Sequence, residues 1–439
     1  MTVTVALFTR DLRIHDNPVL AAACRGGEAV VPLFVVDDSM IVGTNTSPNR
    51  LRFLAAALGE LDDELRAAGG RLILRRGKVA DEVERVVAEV GAGTVHIAAE
   101  VSRYGQRREG ALRERLSARG CRLDVHPASV TSVDTEALRP SSGRDHFAIF
   151  SPYFRRWEQV QRRALCGVPH RIAVPDIEGE VLADAGLDTG TASPQLSVGG
   201  ETTGRKLLRR WLSGPIADYA TNSDDLTADA TSHLSPYLHF GCLSAAEVVS
   251  RVDMADAGGH AFVRQLAWRD FHHQLLAARP DAAWSDYRPG PVEFREDAEA
   301  FDAWTAGRTG FPIVDAPMRQ LRACGWMPGR ARLITASFLT KTLRIDWRRG
   351  ADYFRHWLVD GDVANNQLNW QWAAGTGTDT RPNRRLNPLR QAERFDPEGT
   401  YVRQWLPEVA ELSRDVHRPW RADIDRASYP PPIVEVPGM

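Results

Sequence analysis

The sequence predicts two domains, an α/β domain with a doubly wound, Rossmann-like parallel sheet followed by an all-α domain. Short β-branched runs alternate with amphipathic segments over the first 130 residues, and apolar residues at three- and four-residue spacing dominate after about residue 204. Alternating strands and helices favour a parallel sheet covered on both faces, whereas the later spacing is typical of helices. A chain of 439 residues also exceeds the usual size of one domain.

The strands of the first domain are expected at five hydrophobic runs. These runs occupy residues 3–8, 30–37, 71–77, 94–99 and 122–128. Helical patterns such as "NRLRFLAAALGELDDELRAAG" separate them. No GxGxxG follows the first strand, where "LFTRDLRIHDN" stands instead, so a standard dinucleotide site is not expected there.

A change of composition predicts the linker between the domains. The stretch "LADAGLDTGTASPQLSVGGETTG" is small, polar and glycine-rich, and such stretches are typical of connections. We therefore predict an α/β domain at residues 1–130, a linker at 131–203 and a helical domain at 204–439.

The charge distribution, the cysteines and the absence of several common motifs restrict the classes of function that the chain can have. The formal net charge is −2, yet basic clusters such as "RPNRRLNPLRQAER" are compatible with a basic binding face. The five cysteines form no CxxC pair and no signal-like segment opens the chain, which predicts a reduced, cytoplasmic protein. No apolar run approaches the roughly 20 residues that cross a bilayer, so no membrane role is expected. HExxH, GxSxG and P-loop motifs are absent, and no metal is expected.

Two stretches of the second domain carry chemistry but also have ordinary structural explanations. In "DATSHLS", Thr231 and Ser232 are good helix caps, and the same hydroxyls and helix N–H groups suit a phosphate. In "DGDVANNQLNWQWAAGTGTDTRPN", Asp360 and Asp362 suit ion pairs with Arg332 or Arg348, and the tryptophans suit a core. A site of aromatics, amides, acids and arginines is better suited to a large planar cofactor than to hydrolysis.

Several long motifs occur together and in order: "LFTRDLRIHDNPVL", "TSHLSPYLHFG", "QLAWRDFHH", "GRTGFPIVDAPMRQLRACGWM" and the stretch at residues 360–383. With them the chain resembles the DNA photolyase and cryptochrome family, and most of all the bacterial class I cyclobutane pyrimidine dimer photolyases. The resemblance extends from about residue 3 to "YPPPIVEV" near the end. It implies that the first domain is a light-harvesting antenna domain and that the helical domain buries FAD.

The resemblance also implies which residues contact the flavin. The expected set is Tyr219, Thr231, Ser232, Leu234, Ser235, Arg269, Arg332, Asp360, Asp362 and Asn366. Within it, Arg332 pairs with Asp360, and Asn366 faces flavin N5. An amide there donates and accepts without forcing protonation, which suits an anionic, fully reduced flavin and points toward repair.

Further aromatic residues match an electron-transfer chain and a lesion pocket. Trp370 and Trp347 match the inner members of the chain, while its outermost position is Phe294, which is far harder to oxidise. Tyr353 and Trp357 are alternative exits for the electron hole. Trp268 and Trp372 match the walls of the pocket for a flipped lesion, whose lost stacking they replace.

Other positions match DNA contacts and an antenna site. Arg330 and members of the cluster at 381–394, including Arg385, are expected to bind phosphates, although a solvated helix face is the alternative. Arg50 and Glu100 match an 8-hydroxy-5-deazaflavin site, which makes that chromophore a better candidate than methenyltetrahydrofolate. His239 replaces a lysine common in that site, and no antenna chromophore at all is the remaining alternative.

Three pocket positions depart from the pattern of dimer photolyases. Gln265 replaces a catalytic glutamate, Gly329 after Pro328 replaces an asparagine, and Leu333 replaces a methionine. Glutamine can still donate a hydrogen bond to the lesion. A glutamine at the position of Gln265 also occurs in (6-4) photolyases. The paired pocket histidines of those enzymes, however, are not found in "GWMPGRAR".

The function implied by the resemblance is blue-light-driven repair of cyclobutane pyrimidine dimers in ultraviolet-damaged DNA. Reduced FAD passes an electron to a flipped-out lesion, which makes the enzyme a deoxyribodipyrimidine photo-lyase, a carbon-carbon lyase, and we expect a monomer. The alternatives are a non-repairing, cryptochrome-like photoreceptor and a (6-4) photolyase. Asn366 favours dimer repair, whereas Gln265, Gly329 and Phe294 favour the photoreceptor.

Overall fold

The computed structural model describes residues 2–41, 46–135, 137–187, 190–289, 293–412, 415–422 and 426–435. The chain divides into two compact units. One, the sheet unit, comprises residues 1–191, 197–214 and 232–280, and the other, the helical unit, comprises residues 192–196, 215–231 and 281–439. The domain boundaries at residues 130 and 203 rest on composition and stay a prediction.

A five-stranded, fully parallel sheet forms the centre of the sheet unit, in the order β3-β2-β1-β4-β5. Its strands are β1 Val3–Leu7, β2 Ala29–Val36, β3 Ile73–Arg76, β4 Thr94–Ala98 and β5 Arg122–His126. Each lies within one of the five predicted runs or within one residue of it. Every residue of β1 and β2 is buried, as expected for strands covered on both faces.

Helices complete the sheet unit. They are α1 Pro18–Gly26, α2 Asp38–Ile41, α3 Pro48–Ala67, α4 Val79–Val90, α5 Arg103–Ala118, α6 Phe150–Gln159, α7 Glu201–Leu212, α9 Ser235–His239, α10 Ala245–Ser250 and α11 Ala257–Ala278. The core of the sheet is aliphatic and includes Val5, Val31, Leu33, Val83 and Ile97. Since β1 pairs with β2 on one side and with β4 on the other, the strand order reverses at β1, where α/β sheets commonly bind ligands.

A buried carboxylate joins α6 to α11. The fully buried Asp270 on α11 accepts hydrogen bonds from the backbone N–H of Ser132 at 3.1 Å, from the Ser132 hydroxyl and from Trp157 Nε1 at 3.0 Å. Burial raises its pKa, while Arg269 and these donors oppose the shift. Because a buried carboxylate without donors would be strongly destabilising, the three donors set the position of α11.

Helices build the helical unit. They are α8 Tyr219–Asn222, α12 Ala298–Ala306, α13 Pro312–Cys324, α14 Gly329–Ser337, a π-helix at Phe338–Thr342, α15 Trp347–Trp357, α16 Val363–Ala374, α17 Pro388–Phe395 and α18 Thr400–Trp405. Their core centres on the fully buried Trp304, Trp347 and Phe354 together with many aliphatic side chains. The predicted fold class, a doubly wound parallel sheet followed by helices, is confirmed.

The close approach of α15 to α16 requires a glycine. A Cβ added at Gly350 would lie 2.3 Å from Trp370 Cη2 and 2.5 Å from Leu339 Cδ2. Any side chain at this position would therefore push the indole of Trp370 away from α15.

Another buried carboxylate ties a late segment of the chain to α13. Asp315 accepts from Thr309 N at 2.8 Å, Gly310 N at 3.0 Å and Tyr429 Oη at 2.6 Å. Burial raises the pKa of Asp315 to about 6.

Among the residues described, no helix is both long and apolar enough to cross a membrane.

A histidine pair lies on adjacent strands of the sheet. His96 Nδ1 on β4 lies 3.0 Å from His126 Nε2 on β5, and Asp124 is 3.8 Å from His96. Burial and the neighbouring His126 lower the pKa of His96 to about 4, and burial also lowers the pKa of His126.

We predict that this pair makes the protein sensitive to acid. The unfolded chain binds a proton at His96 more tightly than the folded chain does. The stability that comes from the neutral His96 is therefore fully present above the ordinary histidine pKa and is lost as pH falls from about 6.5 to about 4. Between roughly pH 7.5 and pH 5 the loss from His96 is about 2 kcal/mol. Urea unfolding at the two pH values measures it.

His96→Asn should weaken this pH dependence, whereas His170→Asn, at an exposed histidine, should leave it unchanged. Equal pH dependence in wild type and His96→Asn would contradict the assignment.

Candidate functional site

An ion pair lies at the start of the 360–383 stretch. Arg332 Nη2 on α14 donates to Asp360 Oδ2 at 2.8 Å, and Arg332 Nε donates to the carbonyl of Met327 at 2.9 Å. The Asp360 side chain is only 4% exposed, against 27% for Arg332. The second carboxylate oxygen of Asp360 is buried and has no hydrogen-bond partner among the described residues. The structure therefore brings Arg332 and Asp360 together and leaves a buried acceptor available.

Helix α16 follows Asp362 and carries Asn366 near its N-terminus. Asp362 is the N-cap, accepting from the backbone N–H of Asn365 at 2.8 Å and from its side chain at 2.7 Å. The buried Asn366 donates through Nδ2 to Ala351 O at 3.0 Å and to Gln367 Oε1 at 2.7 Å. Since the amide N–H groups are engaged, the carbonyl oxygen of Asn366 is the atom that a ligand can reach.

Two tryptophans of α16 point in different directions because they are two residues apart on a helix. Trp370 is 2% exposed and packs edge-on against Phe354, with centroids 4.9 Å apart. Trp372 is only half-buried. One indole therefore faces the core of the helical unit, and the other can contact a ligand.

Trp347, the first residue of α15, is fully buried. Its indole Nε1 donates to Asp286 Oδ1 at 2.8 Å, and Arg348 Nη2 donates to the same oxygen at 2.8 Å. Asp286 was not predicted, because it lies 61 residues from Trp347 in sequence and belongs to no motif.

The outer aromatic positions differ in their surroundings. Phe294 is partly buried against the core of the helical unit. Tyr353 lies 5.6 Å from Trp304 and 6.5 Å from Trp357 between ring centroids, and burial raises the pKa of Tyr353 to about 12. Trp357 is partly buried with the Arg322 guanidinium 5.4 Å from its ring. Tyr353 and Trp357 thus extend a series of neighbouring rings that starts at Trp370 and Trp304, whose centroids are 6.0 Å apart.

In the sheet unit, Gln265 and Trp268 lie one turn apart on one face of α11. Gln265 is exposed, and Trp268 is half-buried and stacked on Phe150 with centroids 3.7 Å apart and rings 6° from parallel. Arg269 donates to the carbonyls of Val130 at 2.8 Å and Leu238 at 3.2 Å. The side chains of Gln265 and Trp268 are therefore accessible to a ligand, whereas Arg269 is hydrogen-bonded to the backbone of its own unit.

The loop before α9 has an unusual backbone. Asp229 and His233 adopt positive φ angles of 44° and 53°, which non-glycine residues rarely do and which cluster at functional sites. Between them, Thr231 Oγ1 is buried and has no hydrogen-bond partner in the described chain, and Ser232 Oγ accepts from Leu234 N at 3.4 Å. Ser235 begins α9. Tyr219 begins α8, and burial raises its pKa to about 12.

The two arginines expected at DNA are already engaged. Arg330 forms an ion pair with Asp224, and its guanidinium lies 4.4 Å from the Phe395 ring centroid. The exposed Arg385 donates to the carbonyl of Lys341 at 3.2 Å, in the π-helix. Arg330 would have to release Asp224 before binding a phosphate, so its role at DNA stays a prediction.

The structure shows the surroundings of two residues that depart from the family pattern, Gly329 and Leu333. A Cβ at Gly329, the first residue of α14, would meet no atom within 4 Å. The Gly329 position therefore faces open space rather than a packed neighbour. Leu333, one turn further along, is half-buried.

Two of the three residues expected at an antenna chromophore, Glu100 and His239, lie next to Arg10, which was not predicted. Arg10 Nη1 lies 3.6 Å from Glu100 Oε1, and Arg10 Nη2 lies 3.3 Å from His239 Nδ1. Arg50 lies in the first turn of α3, capped by Ser47. The cavity that Glu100 lines has a volume of about 30 Å³, room for about one or two waters. A tricyclic chromophore would therefore require side chains to move if it bound in that cavity.

We predict that Arg332→Met destabilises the helical unit. The variant leaves the Asp360 carboxylate buried without its counter-charge, and we expect the free energy of unfolding to fall by about 3 kcal/mol. Adding Asp360→Leu should recover part of this loss, because no charge is then left buried. Urea denaturation measures both.

Arg418→Met serves as the control, since Arg418 and Glu393 form a surface pair that should contribute about 1 kcal/mol or less. Equal losses in Arg332→Met and Arg418→Met would show that the Asp360 carboxylate is not the cause.

Comparisons with known proteins assign the chain to a family. The DNA photolyase family matches residues 4–174, and the FAD binding domain of DNA photolyase matches residues 262–438. Deoxyribodipyrimidine photo-lyase from Streptomyces griseus is 56% identical over 442 residues, 99% of this chain and 97% of that protein.

Solved structures give the same result. A bacterial class III photolyase from Agrobacterium tumefaciens has a TM-score of 0.92 and 32% identity, covering 99% of this chain and 94% of that one. An archaeal photolyase from Sulfolobus tokodaii with two FAD molecules has a TM-score of 0.86 and 29% identity, covering 99% and 96%. The predicted family, and with it the predicted photo-lyase class of enzyme, is confirmed. With both parts matched in the predicted order and a relative that shares more than half of its residues over nearly the whole length, the chain belongs to the DNA photolyase family.

Proposed function

We propose that the protein repairs cyclobutane pyrimidine dimers in DNA by blue-light-driven electron transfer from reduced FAD. The observation that carries the proposal is the buried amide of Asn366, within the part matched by the FAD-binding family. Its N–H groups are held by Ala351 and Gln367, so it offers an oxygen acceptor. An acceptor that carries no charge suits the N5–H of an anionic, fully reduced flavin.

The chain also offers partners for the rest of an FAD molecule. The buried, unpaired oxygen of Asp360 can accept from an N–H of the flavin ring, while Arg332 holds the carboxylate in place. The unpaired hydroxyl of Thr231, with Ser232, Ser235 and Tyr219, suits the phosphates and ribityl chain. Bound and reduced, FAD would supply the light-excited electron for splitting the dimer.

The lesion would be held by aromatic and amide side chains. Trp268 and Trp372 are half-buried and can stack on a flipped base, and stacking of this kind is worth about 1 to 3 kcal/mol per base. Gln265 can donate a hydrogen bond to a pyrimidine carbonyl without being protonated. The open space at Gly329 gives room for a water or for a bulkier part of the lesion.

The DNA backbone would contact the basic cluster at residues 381–394. Arg381, Arg384 and Arg385 are exposed, as is Arg390, and guanidinium groups suit phosphate oxygens. We also place the activity in the cytoplasm, since all five cysteines are free thiols, and we expect a monomer.

A second function, a cryptochrome-like photoreceptor, is favoured by two particular features. Phe294 occupies the outer position of the electron-transfer chain, and the space at Gly329 alters the lesion pocket. A (6-4) photolyase is a further alternative, favoured by Gln265 on the exposed face of α11.

We propose that a second chromophore binds the sheet unit near Glu100, Arg10 and His239, and that Arg50 contributes to the site. The interactions of Glu100 with Arg10, and with Arg108 at 3.5 Å, give a polar site suited to a hydroxylated deazaflavin. The Sulfolobus tokodaii relative carries two FAD molecules, which makes FAD an alternative to the deazaflavin.

Repair of defined lesions tests the proposed function. We expect the chemically reduced protein, under blue light, to restore thymines in an oligonucleotide with a cyclobutane dimer and not in one with a (6-4) lesion. Trp268→Ala should weaken binding of the dimer-containing DNA by about 1 to 3 kcal/mol, while Trp268→Phe should lose less because a ring remains. Calorimetric titration measures the binding.

Repair of neither lesion, with damaged and undamaged DNA bound equally well, would overturn this function in favour of the photoreceptor. Repair of the (6-4) lesion alone would assign the other photolyase activity.

The role of Trp370 has its own test. Trp370→Phe should suppress photoreduction of oxidised flavin, because phenylalanine is much harder to oxidise than tryptophan, while repair by chemically reduced protein continues. Absorption spectra during blue illumination measure photoreduction. Trp304→Phe is the matched control, a buried tryptophan of the same core 6.0 Å from Trp370, and it should photoreduce normally. If Trp370→Phe also abolishes repair by reduced protein, Trp370 is structural.

A further inference from the structure

The indole N–H of Trp347 is bonded to a carboxylate. Trp347 Nε1 donates to Asp286 Oδ1 at 2.8 Å, inside the helical unit. The Trp347 residue is fully buried, whereas the Asp286 side chain is 25% exposed. The hydrogen bond therefore connects a buried indole to a group that contacts solvent.

Two contacts place this pair beside Trp370. Trp347 and Gly350 lie three residues apart on α15 and hence on one face, and Gly350 packs directly against the Trp370 indole. Gln371, which follows Trp370 on α16, is hydrogen-bonded to the backbone on both sides of Asp286. Its side chain donates to Ser285 O at 3.0 Å and accepts from Tyr287 N at 2.7 Å.

A positive charge on the Trp347 ring would be opposed by a neighbour. The Arg348 guanidinium lies 4.7 Å from the ring centroid, and two positive charges at this distance repel each other. Removing the Nε1 proton along with the electron leaves a neutral ring. The surroundings of Trp347 therefore favour loss of an electron and a proton together over loss of an electron alone.

Two other oxidisable rings near Trp370, Trp304 and Tyr353, donate to backbone carbonyls rather than to a carboxylate. Trp304 Nε1 donates to Thr335 O at 3.1 Å, and Tyr353 Oη donates to Thr305 O at 2.9 Å. Backbone carbonyls accept hydrogen bonds but do not take up protons at neutral pH. An electron hole on Trp304 thus keeps its proton and can return to its origin, and oxidation of Tyr353 is disfavoured because a carbonyl cannot take up the phenol proton. An electron hole on Trp347, in contrast, has a carboxylate beside it.

We propose that light-driven electron transfer ends at Trp347 and that Asp286 is the base that receives the indole proton. Phe294, which is hard to oxidise, then does not prevent photoreduction. The proposal rests on the proposed function, because bound oxidised FAD would supply the light-driven oxidation of Trp370 with which the transfer begins. Trp347 then returns one electron to the Trp370 radical cation, and its Nε1 proton passes to the Asp286 carboxylate. The products are an intact Trp370, a neutral Trp347 radical and a carboxylic acid at Asp286.

Asp286→Asn tests the proposal on the full chain with its flavin. Asparagine keeps an oxygen acceptor for the indole but is not a base. After a blue flash, transient absorption should show a neutral tryptophan radical in wild type, formed more slowly in D₂O than in H₂O. Asp286→Asn should show the radical cation instead, with a lifetime shorter by at least about tenfold, as expected for loss of a charge-assisted hydrogen bond.

Asp346→Asn is the matched control. Asp346 also binds Arg348, at 3.0 Å, and caps α15, a role that asparagine fills equally well. The Asp346→Asn variant removes the same charge next to the same arginine without touching the indole, so it should behave as wild type. Tyr353→Phe should do so too.

Three results would overturn the proposal. These are a neutral radical of unchanged lifetime in Asp286→Asn, equal rates in H₂O and D₂O for the wild type, and loss of the radical in Tyr353→Phe. A chain that binds no flavin would form no radical in any variant, and the proposed function would then fail with it. A radical that forms but does not respond to Asp286 removes only this inference.

Discussion

The packing of α15 on α16 at Gly350 is the constraint on which the candidate site depends. Because Gly350 has no side chain, the Trp370 indole lies directly against α15. This contact sets the rotation of α16, and with it the direction of Asn366, which bonds Ala351 on the same neighbouring helix. Buried cores tolerate little change of volume, so apolar packing helps to determine the position of the Asn366 amide.

Hydrogen bonding decides what each buried aromatic side chain can do. Trp304 and Tyr353 donate to backbone carbonyls, and those bonds only satisfy polar groups that would otherwise be buried unpaired. Trp347 donates to a carboxylate that is shared with an arginine. Trp304 and Trp347 therefore differ in whether a base lies next to the indole N–H that an oxidised ring would release.

Buried carboxylates of this protein differ in how completely they are hydrogen-bonded. Asp270 and Asp315 are surrounded by donors from their own unit, and each joins segments that are distant in sequence. Asp360 is also buried, but one of its oxygens has no partner among the described residues. Native structures rarely leave such an atom unsatisfied, so Asp360 differs from the other two in having an acceptor available for a ligand.

The sequence alone determined the fold class, because hydrophobic periodicity distinguishes strands from helices locally, and it determined the family, because long motifs survive as strings of residues. It also offered Arg332 as an ion-pair partner for Asp360, and the resemblance selected that pair. Only the tertiary structure identified Asp286 as the partner of Trp347, Arg10 as the partner of Glu100, and Asp224 as the residue that holds Arg330. Those partners are separated by tens of residues along the chain and share no local pattern. Their contacts depend on how helices and strands pack, and packing distances and unsatisfied buried atoms are properties of the folded chain.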